Sequence, residues 1–119
     1  MLSITTAQLA ALQAHAMAVF EPTSLDHLRT ELADLTEEAS DVALLARIRD
    51  AAPRALGYGL ESFEDVQAFI DTGFLLDDPD FDRNPDHAWA KTILSDPDLT
   101  PATKASRLLD IAFDLNQAL

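Results

Sequence analysis

"SFEDVQAFIDTGFLLDDPDFDRNPDHAW", residues 62–89, joins a helix signal to an acidic, proline-marked connector. Ser62 opens it with "SFED", a capping-box-like start in which Asp65 stands where glutamate is usual. Phe63, Val66, Ile70 and Phe74 then recur at helical spacing, which predicts one buried face. Gly73 weakens the end of that helix. In the connector, Asp78, Asp80, Asp82, Asn84 and Asp86 fall on alternate positions. Such spacing suits either oxygen ligands for a hard cation or a corner between two helices.

An EF-hand loop needs oxygens at its first, third, fifth, seventh and ninth positions, glycine at the sixth and a bidentate glutamate at the twelfth. Counting from Asp78, the first five are met. Arg83 occupies the glycine position, Pro85 the eighth and Trp89 the twelfth. The turn glycine and the strongest ligand are both missing, so the EF-hand reading fails. Turn chemistry accounts for the segment without a ligand. Asp and Asn bond back to their own backbone, and proline presets φ in "DDPD" and "RNPD". Phe81 is expected to tuck into the core, Arg83 to neutralise local charge, and Asp86 to cap a short helix ending near Leu94. The expected result is a rigid corner whose exposed carboxylates form a contact surface. A looser calcium-type site in the Asp-rich loop 77–86, on Asp78, Asp80, Asp82 and Asp86, is the alternative.

Helical spacing extends in both directions. Leu9, Leu12, Ala16 and Val19 share one face, with Thr5 or Thr6 as cap. Pro22 is expected to interrupt. Leu25, Leu28, Leu32 and Leu35 then repeat the pattern. Thr36 or Ser40 caps a third helix carrying Val42, Leu45, Ile48 and Ala52. Pro53 predicts a kink or an early end, and Gly57 and Gly59 a stop. "SDPDLTP" is a turn, with Thr100 as N-cap and Pro101 in the first helical position. Ala105, Leu108, Ala112, Leu115 and Leu119 mark the last helix. No stretch alternates as a half-buried strand would. The expected fold is all-α, one domain over residues 1–119, an irregular bundle of five to six short helices.

Composition narrows the function. The chain has 119 residues, about half apolar, which suits a single core. Twenty-one acids face eight bases, for a net charge of −13. Such a surface repels phosphate backbones and anionic membranes, so neither nucleic acid nor membrane is an expected partner. It favours a partner protein with a basic surface. The absence of cysteine removes thiol catalysis, disulfides and thiolate metal sites. The leading residues lack a basic n-region, and Gln8, Gln13 and His15 break their apolar run. They read as an amphipathic helix rather than a signal peptide, and a cytoplasmic protein is expected.

No catalytic constellation appears. His15, His27 and His87 lie in different elements, without HExxH spacing or a nucleophile-type turn beside them. His27 follows Asp26, as exposed histidines often do. Glu37 and Glu38 diverge by about 100° on a helix, so they do not converge on one substrate. Arg47 and Asp50 are spaced for a surface ion pair. Neither enzyme activity nor a cofactor is expected. The expected partner surface is Phe74, Asp77, Asp78, Asp80, Phe81, Asp82 and Trp89, and a homodimer is compatible with the several apolar stripes.

Residues 58–113 carry a family resemblance. Their features are Tyr58–Gly59–Leu60, the capped helix from Ser62 to Phe74, the corner Asp78 to Asp82, Trp89–Ala90 with Ile93–Leu94, and the helix led by Pro101. This half resembles a group of small helical bacterial proteins encoded beside type VI secretion genes, near spike components and toxin effectors. The resemblance implies an accessory role: adaptor or chaperone of a secreted effector, or an immunity protein against one. Its implied partner is an effector toxin or a spike component. It carries over no catalytic residue.

Overall fold

The computed structural model describes residues 6–117, with side chains from residue 18 onward. Expectations on Thr5, His15, Leu119 and the side chains of Leu9, Leu12 and Ala16 lie outside the described residues. Six α-helices follow one another: α1 (Thr6–Glu31), α2 (Ala33–Thr36), α3 (Asp41–Gly57), α4 (Phe63–Leu75), α5 (Ala88–Leu94) and α6 (Pro101–Gln117). Two single 3₁₀ turns, Phe81–Arg83 and Pro85–His87, make the corner between α4 and α5. The described residues form an all-α bundle with no strand.

α4 is the axis. Every residue from Val66 to Leu75 is buried, and α1, α3 and α6 pack around it. A helix enclosed on all sides is expected to be apolar all round. This one nevertheless encloses Gln67, Asp71 and Thr72. Thr72 satisfies its hydroxyl on the Ala68 carbonyl, 2.7 Å away. The four-residue face read from the sequence was too narrow and included one outlier. Phe63 is 39% exposed, its ring tilted against Phe20 at 5.0 Å between centroids.

Neither internal proline ends its helix. α1 runs through Pro22 and α3 through Pro53. Both prolines sit on exposed positions, so the ring meets solvent and only one backbone bond is lost. Anchors on either side outweigh a penalty of about 3 kcal/mol. Beside Pro22, the Thr23 hydroxyl donates to the Val19 carbonyl at 3.2 Å, and Glu21 is bridged to Arg49 of α3 at 2.8 Å. Beside Pro53, Ala52 and Ala55 are buried.

The caps are resolved by geometry. Ser40, not Thr36, caps α3 by accepting from the Ala43 amide. Thr36 is buried and offers its hydroxyl to the carbonyls of Leu28 and Leu32. Ser62 caps α4 through the Asp65 amide, and Thr100 caps α6 through the Thr103 amide. The buried stripe of α3 is Leu44, Ile48, Ala52 and Ala55, whereas Val42 is 78% exposed. α3 closes with a Schellman motif. Leu60 N–H bonds Ala55 O and Gly59 N–H bonds Leu56 O, with Gly59 at φ +89° and Leu60 sealed in the core. α4 ends the same way. Asp78 N–H bonds Gly73 O and Asp77 N–H bonds Phe74 O. Here Asp77, at φ +53°, takes the left-handed position that glycine usually fills.

Candidate functional site

The acidic corner begins at that second motif. Gly73 faces the corner closely: a Cβ there would meet the Asp78 carbonyl at 3.4 Å and Arg47 Nη2 at 3.5 Å, at van der Waals contact. Asp78 then works inward. Its Oδ1 accepts the Asp80 amide at 2.9 Å, and its Oδ2 accepts Asn84 Nδ2 at 2.8 Å with His87 Nε2 at 3.6 Å. Asn84 accepts the Asp86 amide, starting the second 3₁₀ turn. Asp80 is ion-paired with Arg83, whose guanidinium holds the Asp80 carboxyl below its ordinary range.

Arg54 of α3 fastens the corner to the bundle. It donates to the Pro79 carbonyl at 2.6 Å and, through Nε, to Asp82 Oδ2 at 3.3 Å. It also pairs with Asp50 one turn back. Asp82 is 1% exposed and accepts the Tyr58 hydroxyl at 3.0 Å. Its Oδ1 lies 3.3 Å from Arg54 Nη2, outside hydrogen-bond alignment. Arg47, expected to pair with Asp50, instead lies over the Phe74 ring at 3.7 Å. Burial lowers its pKa, an effect opposed by Asp77 and Asp78.

This geometry revises the expected site. Asp78 and Asp82 are spent on internal bonds. Among the described residues, no three carboxylate or imidazole groups come together to hold a metal. Phe74 and Phe81 are core residues, with Phe81 4.9 Å from the Phe69 ring, so neither is a surface anchor. Asp77, Asp80 and Asp86 are exposed and Trp89 is half-buried. Asp86 does not cap α5; Asn84 and the 3₁₀ turns lead the chain into it.

Two features escaped the sequence reading. The first is a bond between His27 Nε2 and Asp71 Oδ2, 2.8 Å across α1 and α4. Gln67 donates to the other Asp71 oxygen at 2.9 Å. Burial raises the Asp71 pKa, while Gln67 and His27 oppose the shift. Forty-four residues separate the pair. The only sequence signal is a lone carboxylate within "AFIDTGFLL", which needs a partner once enclosed. Ser24, one turn before His27, is fully buried with no hydrogen-bond partner for its hydroxyl. This arrangement orders a helix interface and opens no nucleophile to substrate.

The second is an apolar groove of about 440 Å³ between α1, α3 and the start of α4. Val19, Phe20, Ala52, Leu56, Phe63 and Val66 supply its surface. Val19, Leu56 and Phe63 are 59%, 42% and 39% exposed.

No known relative identifies the chain. It matches no family model, no curated protein and no solved structure. Among the described residues, no helix is long and apolar enough to cross a membrane.

Proposed function

We propose that this protein is a non-enzymatic, acidic protein-binding module, accessory to a bacterial secretion or toxin system, acting in the cytoplasm as adaptor, chaperone or immunity protein. The observation that supports it is how the charges are distributed. Arg29, Arg49, Arg54 and Arg83 are drawn into ion pairs with Asp41, Glu21, Asp50, Asp82 and Asp80, and Arg47 is folded onto Phe74. Few cations remain to offset the outward carboxylates. Among the described residues, exposed Asp77 and Asp86 at the corner have no ion-pair partner, and neither do exposed Glu31, Asp34, Glu37 and Glu38 around α2. Carboxylates so placed attract and orient a basic surface, such as that of an effector toxin or spike component. The secretion context rests on the resemblance over residues 58–113.

Capture of the tagged protein from native lysate, with mass spectrometry of what it retains, tests the reading. A stoichiometric basic partner is expected. Its affinity should fall with salt and with Asp80→Lys plus Asp86→Lys. A retained partner indifferent to both changes refutes the acidic-corner assignment.

A further inference from the structure

α1 meets α4 in successive rungs. Phe20 packs on Phe63, with ring centroids 5.0 Å apart, and His27 bonds Asp71 at 2.8 Å. The two contacts advance together along both helices, so α1 and α4 run parallel. Ser24 and Gln67 lie between them, and both are buried. Ser24 Oγ and Gln67 Oε1 have no hydrogen-bond partner among the described residues, so the middle rung is not held by a bond between these atoms. The Phe20–Phe63 rung is apolar and partly open to solvent. The polar fastening of α1 to α4 therefore falls on His27 and Asp71.

That contact is sensitive to charge. The Asp71 side chain is 11% exposed and that of His27 30%. Gln67, which donates to the other Asp71 oxygen, is neutral. Among the described residues, no Lys or Arg pairs with Asp71, so neither α3 nor α6 supplies it with a cation. The charged groups whose fields reach it are His27 and Glu31, both of α1. Glu31 lies one turn beyond His27 and adds a like charge. An enclosed carboxylate whose counter-charge is a single imidazole is costly to dock, whereas a neutral carboxyl is not. The attachment of α1 to α3 is different in kind. It rests on Arg29–Asp41 and Arg49–Glu21, in which the guanidinium stays charged.

We propose that the His27–Asp71 contact is a proton-operated latch on α1. Uptake of a proton by the dyad tightens α1 against α4, and its loss lets the two helices part. The separation of Phe20 and Phe63, which line the apolar groove, follows the latch. The docked dyad holds a proton that the undocked one has released, so docking strengthens as the pH falls. The window runs from the ordinary carboxyl value of 3.8 up to the raised Asp71 value. The latch does not depend on the partner proposed above.

Native-state amide exchange of the whole chain, read by NMR and corrected for the intrinsic rate at each pH, tests the proposal. From pH 6 to pH 4, protection of α1 over residues 20–31 should rise at least about threefold more than that of α3. Ring signals of Phe20 and Phe63 should shift with the same midpoint. Asp71→Asn removes the titrating group and should abolish the difference between the helices. His27→Gln keeps a donor for Asp71 but removes its counter-charge, and should extend the difference to higher pH. Equal changes in α1 and α3 of the wild-type chain overturn the proposal. So does an Asp71→Asn chain that keeps the difference, or a His27→Gln profile that superimposes on wild type.

Discussion

Removal of the Arg54 guanidinium should open the acidic corner at measurable cost. Arg54→Met keeps most of the apolar stem and removes a guanidinium whose carbon lies 5.8 Å from the Phe69 ring centroid. It deletes the donors to Pro79 O and Asp82 Oδ2. Asp82, 1% exposed, is then left with Tyr58 as its hydrogen-bond donor. Breaking a buried ion pair by removing one partner costs about 3–5 kcal/mol. The Asp50 pair is exposed on the acid's side and contributes about 0.5 kcal/mol or less. An overall loss of about 3 kcal/mol is expected, since the pair is imperfectly aligned. For a chain of this size that lowers Tm by roughly 10 °C. Adding Asp82→Asn should recover at least about 1 kcal/mol, because the neutral amide no longer needs a cation. Urea unfolding of wild type, both single variants and the double variant measures the coupling. A loss under about 1 kcal/mol for Arg54→Met, or single-variant costs that simply add, would refute the claim that this pair fastens the corner.

Other expectations follow from the backbone and the buried dyad. Asp77→Gly relieves a left-handed residue at the end of α4 and should raise stability by about 0.5–1 kcal/mol in urea unfolding. Gly59→Ala should cost about 1–2 kcal/mol, although no atom lies within 4 Å of the added Cβ, because φ is +89°. Gly57→Ala, helical and equally unobstructed, should instead stabilise by about 0.5–1 kcal/mol, and denaturation midpoints separate the two. Asp71 has its pKa raised above the ordinary 3.8, chiefly by burial. Between that value and the raised one, the folded chain holds a proton that the unfolded chain has lost. Asp71 therefore makes stability fall as pH rises through this window. Stability measured from pH 6 to 4 should shift in favour of wild type over Asp71→Asn as the pH drops.

The sequence by itself determined the helical class and most element boundaries. Period 3.6 without alternation, Ser62, Thr100–Pro101 and the Gly57–Gly59 stop are local signals, and local backbone chemistry enforces them. It also rejected the EF-hand, because Arg83 and Trp89 lack the needed atoms whatever the fold. Tertiary packing decided the rest. Pro22 and Pro53 stayed inside helices because long-range anchors outweighed one missing bond. α4 became buried all round because three helices enclose it, which a single-face pattern cannot anticipate. Phe74, Phe81 and Asp82 left the expected contact surface once the corner was fastened by Arg54 and Arg47 lay over Phe74. The His27–Asp71 bond and the groove at Val19, Leu56 and Phe63 join residues distant in the chain. Their existence depends on how helices dock, a free-energy balance that no local window contains.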